Sequence, residues 1–429
     1  MYFKLKVVFY LLKTHFLLWL FSRNLRALRQ WRLWVLLRFL KRKSAFYAPF
    51  LQKKRVLSGL PKIEKTAFMQ HFDQINTRNI RLSHALEVAE RAERSRDFLP
   101  TISGVAVGLS TGTSGNRGVF LASSTERAMW VAAVLHRVVG WQWRRRSVAF
   151  FLRANNQLYQ ATESRLLKFE FFDIFLDINA HIARLNNLKP TILVAQPSML
   201  CLLAQKKMEG SLEIFPEKVI SVAEVLTPED KNYLQNCFGQ TIHQVYQCTE
   251  GFLAATCVHG TLHFNEDFLM VEKKYLNDEK TKFYPIITDL LRTTQPVVRY
   301  ELNDILTEKT TPCPCGNPML AIESIEGRAD DVLGFYEVGG KFIKFFPDIF
   351  RKIIVLSSHE IQDYALVQTD FGVLELYIKT ENERAYLAAK AALLLFFAEK
   401  NIENLDIIKL HTDPLIAGQK KRRIRNETN

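Results

Sequence analysis

The stretch Leu109-Ser110-Thr111-Gly112-Thr113-Ser114-Gly115-Asn116-Arg117-Gly118 follows the apolar run Ile102–Leu109, which has the make-up of a buried strand. Small hydroxyl and glycine residues let backbone amides and side-chain hydroxyls surround a polyphosphate, and Arg117 can neutralise part of its charge. No Gly-Lys-Ser/Thr closes the loop, so it is not a P-loop. A Ser/Thr/Gly loop alone is most often a turn. Its meaning depends on what surrounds it.

Around it, β-rich runs alternate with helical ones. Ser147–Leu152, Thr191–Ala195, Lys218–Val222 and Thr241–Tyr246 read as strands, with helices expected at Pro197–Met208 and Pro228–Cys237. That alternation predicts an α/β sheet with crossover helices. Residues 64–97 read as helical. From about Phe264 strands dominate: Phe268–Lys273, Tyr284–Ile287 and Val297–Leu302. After Arg328 comes a smaller α+β unit with a strand pair near Tyr364–Lys379, a helix near Glu383–Lys400, a strand near Leu405–Leu410 and a basic tail, Gly418–Arg425. At 429 residues more than one domain is expected, here divided as 1–60, 61–328 and 329–429.

The net charge of +14 is confined to one end. Of the 58 Lys and Arg, fourteen fall in residues 1–55, which contain no acid, leaving 44 basic against 44 acidic residues. In residues 2–21, Lys4, Lys6, Lys13 and His15 interrupt the apolar sequence, so a spanning helix is not expected. No small-x-small cleavage site follows, which argues against a signal peptide. Leu25, Leu28, Trp31, Val35 and Phe39 recur at helical spacing among arginines. The reading is a basic amphipathic helical segment on an anionic membrane, with packing onto the main domain as the competing one. No nucleic-acid module is recognisable, and nucleic acid is not an expected partner. The chain is read as cytoplasmic, peripheral on the inner face of a membrane. Six cysteines are too few for a disulfide scaffold at this length.

Further motifs follow in order. Val245-Tyr246-Gln247-Cys248-Thr249-Glu250-Gly251 ends a strand. Thr288-Asp289-Leu290, Val297-Val298-Arg299-Tyr300-Glu301-Leu302-Asn303-Asp304 and Gly327-Arg328-Ala329-Asp330-Asp331 come after it. Together with the Ser110–Gly118 loop, the set resembles the adenylate-forming superfamily of acyl- and aryl-CoA ligases, from about Trp31 to the C-terminus. Cys257-Val258-His259-Gly260, Leu262-His263-Phe264-Asn265-Glu266-Asp267 and Pro312-Cys313-Pro314-Cys315-Gly316 resemble its phenylacetate–CoA-ligase-like branch, which includes deazaflavin-coenzyme adenylyltransferases.

The resemblance implies a large adenylate-forming α/β domain, a small mobile C-terminal lid and a set of roles. Ser110, Thr111, Gly112, Thr113, Ser114 and Gly115 would hold the β- and γ-phosphates of ATP, and Tyr246 would stack on adenine. Glu250 would coordinate Mg²⁺, and Thr249 would contact the α-phosphate. Asp304 would bind both ribose hydroxyls with Arg328 neutralising the same region, and Glu224 would lie beside the nucleotide. In Gly418-Gln419-Lys420-Lys421, Lys420 (or Lys421) would be the lid lysine acting during adenylation. Asp330 would lie at the hinge. Gln247 stands where the family usually has Gly, and Glu301-Leu302-Asn303 replaces Arg-Thr-Gly.

Cys257, His259, Cys313 and Cys315 are soft or borderline ligand types that a fold could gather around a structural Zn²⁺; buried filler is the bland alternative. Phe150–Asn156, Gln196–Leu200 and Gln247–Phe252 are expected as pocket walls, and their Phe150, Phe151 and Phe252 favour an aromatic or otherwise apolar acid. The expected activity is ATP-dependent activation of such an acid, then transfer to CoA or to the phosphopantetheine of an acyl carrier protein. The alternatives are an adenylyltransferase leaving AMP on its acceptor and a membrane-recruited protein that only binds nucleotide.

Overall fold

A computed structural model of the chain describes residues 2–52, 56–95, 100–110, 118–140, 144–152, 167–174, 176–414 and 421–428. They form two compact units: residues 1–302 with 308–323, and residues 303–307 with 324–429. Residues 1–60 thus belong to the first unit, and the chain crosses between units after Leu302, Thr307 and Glu323.

The first unit opens with helices α1 (Tyr2–Leu20) and α2 (Leu25–Lys43). The stretch expected as one helix at 64–97 is broken into α3 (Lys65–Gln70), α4 (Phe72–Ile75) and α5 (Leu82–Ser95). Asn76 explains the break. Its side chain donates to the carbonyls of Phe72 and Ile80 and accepts from the amides of Arg78 and Ile80, so a turn takes the bonds a helix would have made. Strands β1 (Thr101–Ile102), β2 (Val105–Leu109) and β3 (Val119–Ser123) form a small antiparallel sheet. The expected strand Ile102–Leu109 folds back on itself at Ser103 and Gly104, both at positive φ. Helix α6 (Ser124–Val134) follows, closed by a capping box of Ser123 and Glu126.

The main sheet carries β4 (Arg146–Leu152), β5 (Leu167–Asp173), β6 (Ile192–Ala195), β7 (Lys218–Val222) and β8 (Ile242–Cys248), all parallel and ordered β5-β4-β6-β7-β8. Parallel neighbours need crossovers. Helices α7 (Ile178–Leu188), α8 (Pro197–Met208) and α9 (Pro228–Phe238) supply three of them. Leu185, Leu200, Leu203 and Leu234 from these helices meet Ala149, Phe151, Leu193, Val219 and Ile242 in one buried cluster. Proline at the first turn of α8 and α9, and Thr227 capping α9, set where those helices begin.

At β8 the sheet turns antiparallel, through β9 (Gly251–Thr256) and β10 (Leu262–Phe264). A second antiparallel pair, β11 (Leu269–Tyr275) and β12 (Lys282–Asp289), carries the two-residue β13 (Tyr300–Glu301). Strands β14 (Asp304–Glu308) and β15 (Ala321–Arg328) run across the unit boundary, and the start of β15 pairs with β10.

The second unit holds the hairpin β16 (Leu333–Tyr336) and β17 (Phe342–Phe345), helices α10 (Pro347–Ser357) and α11 (Glu383–Glu399), and a four-stranded sheet. The sheet order is β20-β19-β18-β21, from β18 (Asp363–Asp370), β19 (Val373–Lys379), β20 (Asp406–Leu410) and β21 (Ile424–Asn426). Phe335, Phe350 and Phe397 fill its core. This is the small α+β unit read from the sequence.

Candidate active site

The turn Thr249-Glu250 joins β8 to β9 at the C-terminal end of a parallel strand, where doubly wound sheets place their ligands. It opens onto a pocket lined by Lys65, Phe68, Gly118, Phe120, Arg292, Gln295 and Tyr300. The Thr249 hydroxyl donates to Glu250 Oε2 at 3.0 Å, and Tyr300 lines the pocket facing the same carboxylate. Burial pushes the Tyr300 phenol well above its usual range, and the facing Glu250 carboxylate adds to this. Arg292 Nη1 donates to the carbonyls of Thr249 (2.8 Å) and Glu250 (3.0 Å), which fixes the turn from below.

Two residues hold that arginine's loop. Gln295 accepts from the Leu121 amide at 2.9 Å and donates to the Val119 carbonyl at 3.1 Å, extending β3 with a side chain. Glu126 caps α6 with one oxygen and with the other accepts the amides of Thr293 (2.6 Å) and Thr294 (2.7 Å). These bonds hold its carboxyl below the usual range even though burial opposes them. Asp289 accepts from the amides of Leu291 and Arg292, yet burial dominates and pushes its carboxyl up to about 6. Lys65, Glu126, Arg292 and Gln295 were not legible as site residues. Glu126 carried a signal in the Ser-x-x-Glu spacing from Ser123.

Among the sequence-derived candidates, Ser110 closes the neck of its loop: its amide donates to the Gly118 carbonyl and its hydroxyl accepts from the Gly118 amide, both at 2.7 Å. A Cβ on Gly118 would stand 3.3 Å from Lys65 Cε and from Ser110 Oγ, so glycine allows this close approach. Thr111, Gly112, Thr113, Ser114, Gly115, Arg117 and Lys420 lie outside the described residues. Tyr246 is largely buried, edge-on to Phe264, with ring centroids 6.1 Å apart. The β8–β9 register slips between Tyr246 and Gln247, so a bulge sits where the family usually has Gly, and Gln247 adopts it without a positive φ. Glu224 follows Ala223 at φ +69 and accepts weakly from the Ser198 amide, 3.4 Å away, at the start of α8.

In the second unit Asp304 and Arg328 come together at 3.5 Å. Asn303, in place of the usual Gly, donates to Asp330 at 3.0 Å. Glu301, the other departure, is paired with Lys274 in the first unit, which cancels the charge it introduces. Lys421 is engaged by Asp363, which also accepts from Arg423.

Two expectations are corrected. Phe151 stacks on Phe172 in the core, ring centroids 4.9 Å apart, and Phe252 is fully buried, so among the described residues neither lines the pocket at the Thr249-Glu250 turn. Cys257, Cys313 and Cys315 do converge, but the histidine that joins them is His263, and His259 is exposed on the intervening turn.

No family model matches the chain. A curated relative, indoleacetate–lysine synthetase of Pseudomonas savastanoi, is 30% identical over 142 residues, covering 32% of this chain and 34% of that protein. The matched stretch therefore spans about a third of the relative. Among solved structures, 2-hydroxyisobutyryl-CoA ligase with 2-HIB-AMP in the postadenylation state superposes with TM-score 0.63 at 17% identity, covering 95% of this chain and 90% of that one. The amide bond synthetase McbA of Marinactinospora thermotolerans gives TM-score 0.52 at 13% identity, over 73% and 66%. The ordered motifs and these neighbours agree: the chain has the fold of the adenylate-forming ligases.

Proposed function

We propose that this chain activates a carboxylic acid with ATP. An oxygen of the acid attacks the α-phosphorus, the bond to the bridging oxygen breaks, and pyrophosphate leaves an acyl- or aryl-adenylate. The observation that carries this reading is the Thr249-Glu250 turn, opening into a pocket between two cations, Lys65 and Arg292, beside the neck of the Ser110–Gly118 loop. Cations beside a hydroxyl-rich loop suit phosphate oxygens. A carboxylate, with phosphate oxygens completing the set, is a hard donor suited to Mg²⁺, which would offset charge on the phosphates. Glu250 would hold it, Thr249 would contact the α-phosphate, and Tyr300 faces the carboxylate. Tyr246 is assigned to adenine, Asp304 and Arg328 to the ribose, Glu224 to the nucleotide edge, and Arg117 with residues 110–115 to the phosphates. The second unit is assigned as the lid. Its lysine is Lys420, since Asp363 already holds Lys421.

The acid is read as aromatic or otherwise apolar, consistent with a relative named for indoleacetate. The acceptor is read as CoA or a carrier-bound thiol. A second reading, an amine acceptor, is favoured by the same relative's lysine and by the amide bond synthetase among the structural neighbours. ATP–pyrophosphate exchange across aryl and fatty acids, then mass analysis of products with CoA and with lysine, separates these readings. ATP binding without exchange for any acid would overturn the enzymatic one.

We further infer that the first helix lies on an anionic bilayer. Phe3, Val7 and Tyr10 of α1 pack against α6. Leu5, Val8, Phe9, Leu12, Phe16, Trp19 and Leu20 form a stripe on its far side, all more than half exposed. At 100° per residue they fill about 120° of the helical wheel, with Lys4, Lys6 and Lys13 at its edges. An apolar stripe flanked by snorkelling lysines suits a headgroup boundary, and no described helix is long and apolar enough to cross a membrane. The full chain should float with phosphatidylglycerol vesicles and lose that association on Phe16→Glu/Trp19→Glu substitution. Unchanged flotation of the variant would sink the assignment.

A further inference from the structure

The sulfurs of Cys257, Cys313 and Cys315 and a ring nitrogen of His263 all lie within 4.8 Å of one another. Cys257 Sγ stands 3.7 Å from Cys313 Sγ, and Cys315 Sγ stands 3.4 Å from His263 Nε2. A disulfide needs sulfurs about 2.05 Å apart, so the pair is not bonded. Around a tetrahedral zinc, with Zn–S of about 2.3 Å and Zn–N of about 2.0–2.1 Å, the sulfur–sulfur edge is about 3.8 Å and the sulfur–nitrogen edge about 3.5 Å. Both observed separations match those edges. We propose that Cys257, His263, Cys313 and Cys315 form a structural zinc site, with His263 as the nitrogen ligand in place of His259.

The backbone is shaped for it. Cys257-Val258-His259-Gly260 and Cys313-Pro314-Cys315-Gly316 make the same turn. In each, the glycine amide donates to the first cysteine's carbonyl, at 3.0 and 3.1 Å, and the glycine takes a positive φ, 74° and 71°. The left-handed conformation favours glycine there, and at Gly260 a Cβ would also come within 2.8 Å of Thr241 Cγ2. The Asn317 amide donates to Cys315 Sγ at 3.4 Å. His263 Nδ1 lies 3.1 Å from the Met319 carbonyl, so Nδ1–H donates there and leaves the Nε2 lone pair for the metal. His263 and Cys313 are buried and the other two half-buried, with four protein ligands and no open position. That makes the site a clasp between the β9–β10 hairpin and the loop entering β15. Three thiolates and one imidazole form a soft donor set that selects zinc over Mg²⁺ or Ca²⁺. The thiols release their protons on binding.

The test uses the full chain, untagged and purified without chelator, with metal content measured by inductively coupled plasma mass spectrometry. About one zinc per chain is expected. Cys315→Ser and His263→Ala should each lower retained zinc at least tenfold, and His259→Ala should leave it unchanged. Should a ligand variant fail to fold, cobalt exchange into the wild type decides. A tetrahedral spectrum with thiolate charge transfer supports the site, and an octahedral one overturns it. Zinc-free protein after zinc loading, stoichiometric iron, a Cys257–Cys313 disulfide in the native mass, or zinc lost only in His259→Ala would each overturn the proposal.

Discussion

Strand β9 has two unlike ends. At Gly251 it leaves the Thr249-Glu250 turn, held by Arg292 and, through the loop, Glu126, both distant in sequence. At Thr256 it runs into Cys257 and a compact sulfur–imidazole cluster made of two short motifs. The polar end is held by bonds to charged groups, each worth about 1.5–3 kcal/mol. The soft end is held by few partners and, on our proposal, one metal. The contrast separates function from support: changes at the first end should alter chemistry at constant fold, and changes at the second should alter the fold's stability first.

The largest expected effect lies at the polar end. Glu250→Gln should lower ATP–pyrophosphate exchange about a thousandfold or more, because the phosphate region loses its carboxylate donor while packing is retained. A folded variant with near-wild-type exchange would break the contrast. Arg292→Met leaves the Thr249 and Glu250 carbonyls without their donor and lets the turn drift, so exchange should fall about a hundredfold. The Arg292→Lys variant should recover only part of it, since one ammonium cannot reproduce the guanidinium fork. At the soft end, Cys257→Ser should cost about 3 kcal/mol and lower Tm by about 3–5 °C in calorimetry. Exchange per folded molecule below the new Tm should stay within about threefold, a change of less than 1 kcal/mol in barrier. An activity loss exceeding the stability loss would show that the two ends are not separable.

The smallest effect is in pH. Asp289 has a folded pKa raised to about 6. Between its unfolded value of about 4 and about 6 the native state holds the extra proton, so this group's contribution falls as pH rises through that window, by on the order of 2–3 kcal/mol. Glu126 has the opposite sign: its lowered pKa gives stability present above the unfolded value and lost as pH falls through the folded one. Urea unfolding of Asp289→Asn should therefore show a flatter fall in stability from about pH 4 to about pH 6 than the wild type. An unchanged slope would remove Asp289 from the account.

Strands β4, β6 and β7 were legible because their centres are buried and read as continuous apolar runs, whereas β5, interrupted by Lys168 and Glu170, was not read as a strand. Thr249-Glu250 was found because it ends a strand within a motif that resembles the adenylate-forming set. Arg292 and Gln295 were not, because their role is to receive and donate across about 170 residues of sequence, which no local spacing encodes. The α2 leucines misled in a different way. Of the residues expected to face lipid, Leu28 is buried while Trp31 and Val35 are exposed; Leu33, Leu36, Leu37 and Leu40 are buried too, and Arg29 and Arg32 meet Glu266 and Asp267, so the helix also packs on the protein. His263 lost to His259 because ligand spacing was read along one turn, whereas the fold pairs two strands.

The shared carboxylate of Glu126 has a consequence for local opening. The amides of Ser123, Thr293 and Thr294 converge on one side chain. The pocket loop therefore cannot open without stranding an anion, and α6 cannot fray at its start without releasing the loop. Amide hydrogen exchange at Ser123, Thr293 and Thr294 should then report one common opening free energy. The two segments would behave as a single cooperative unit despite lying more than 160 residues apart.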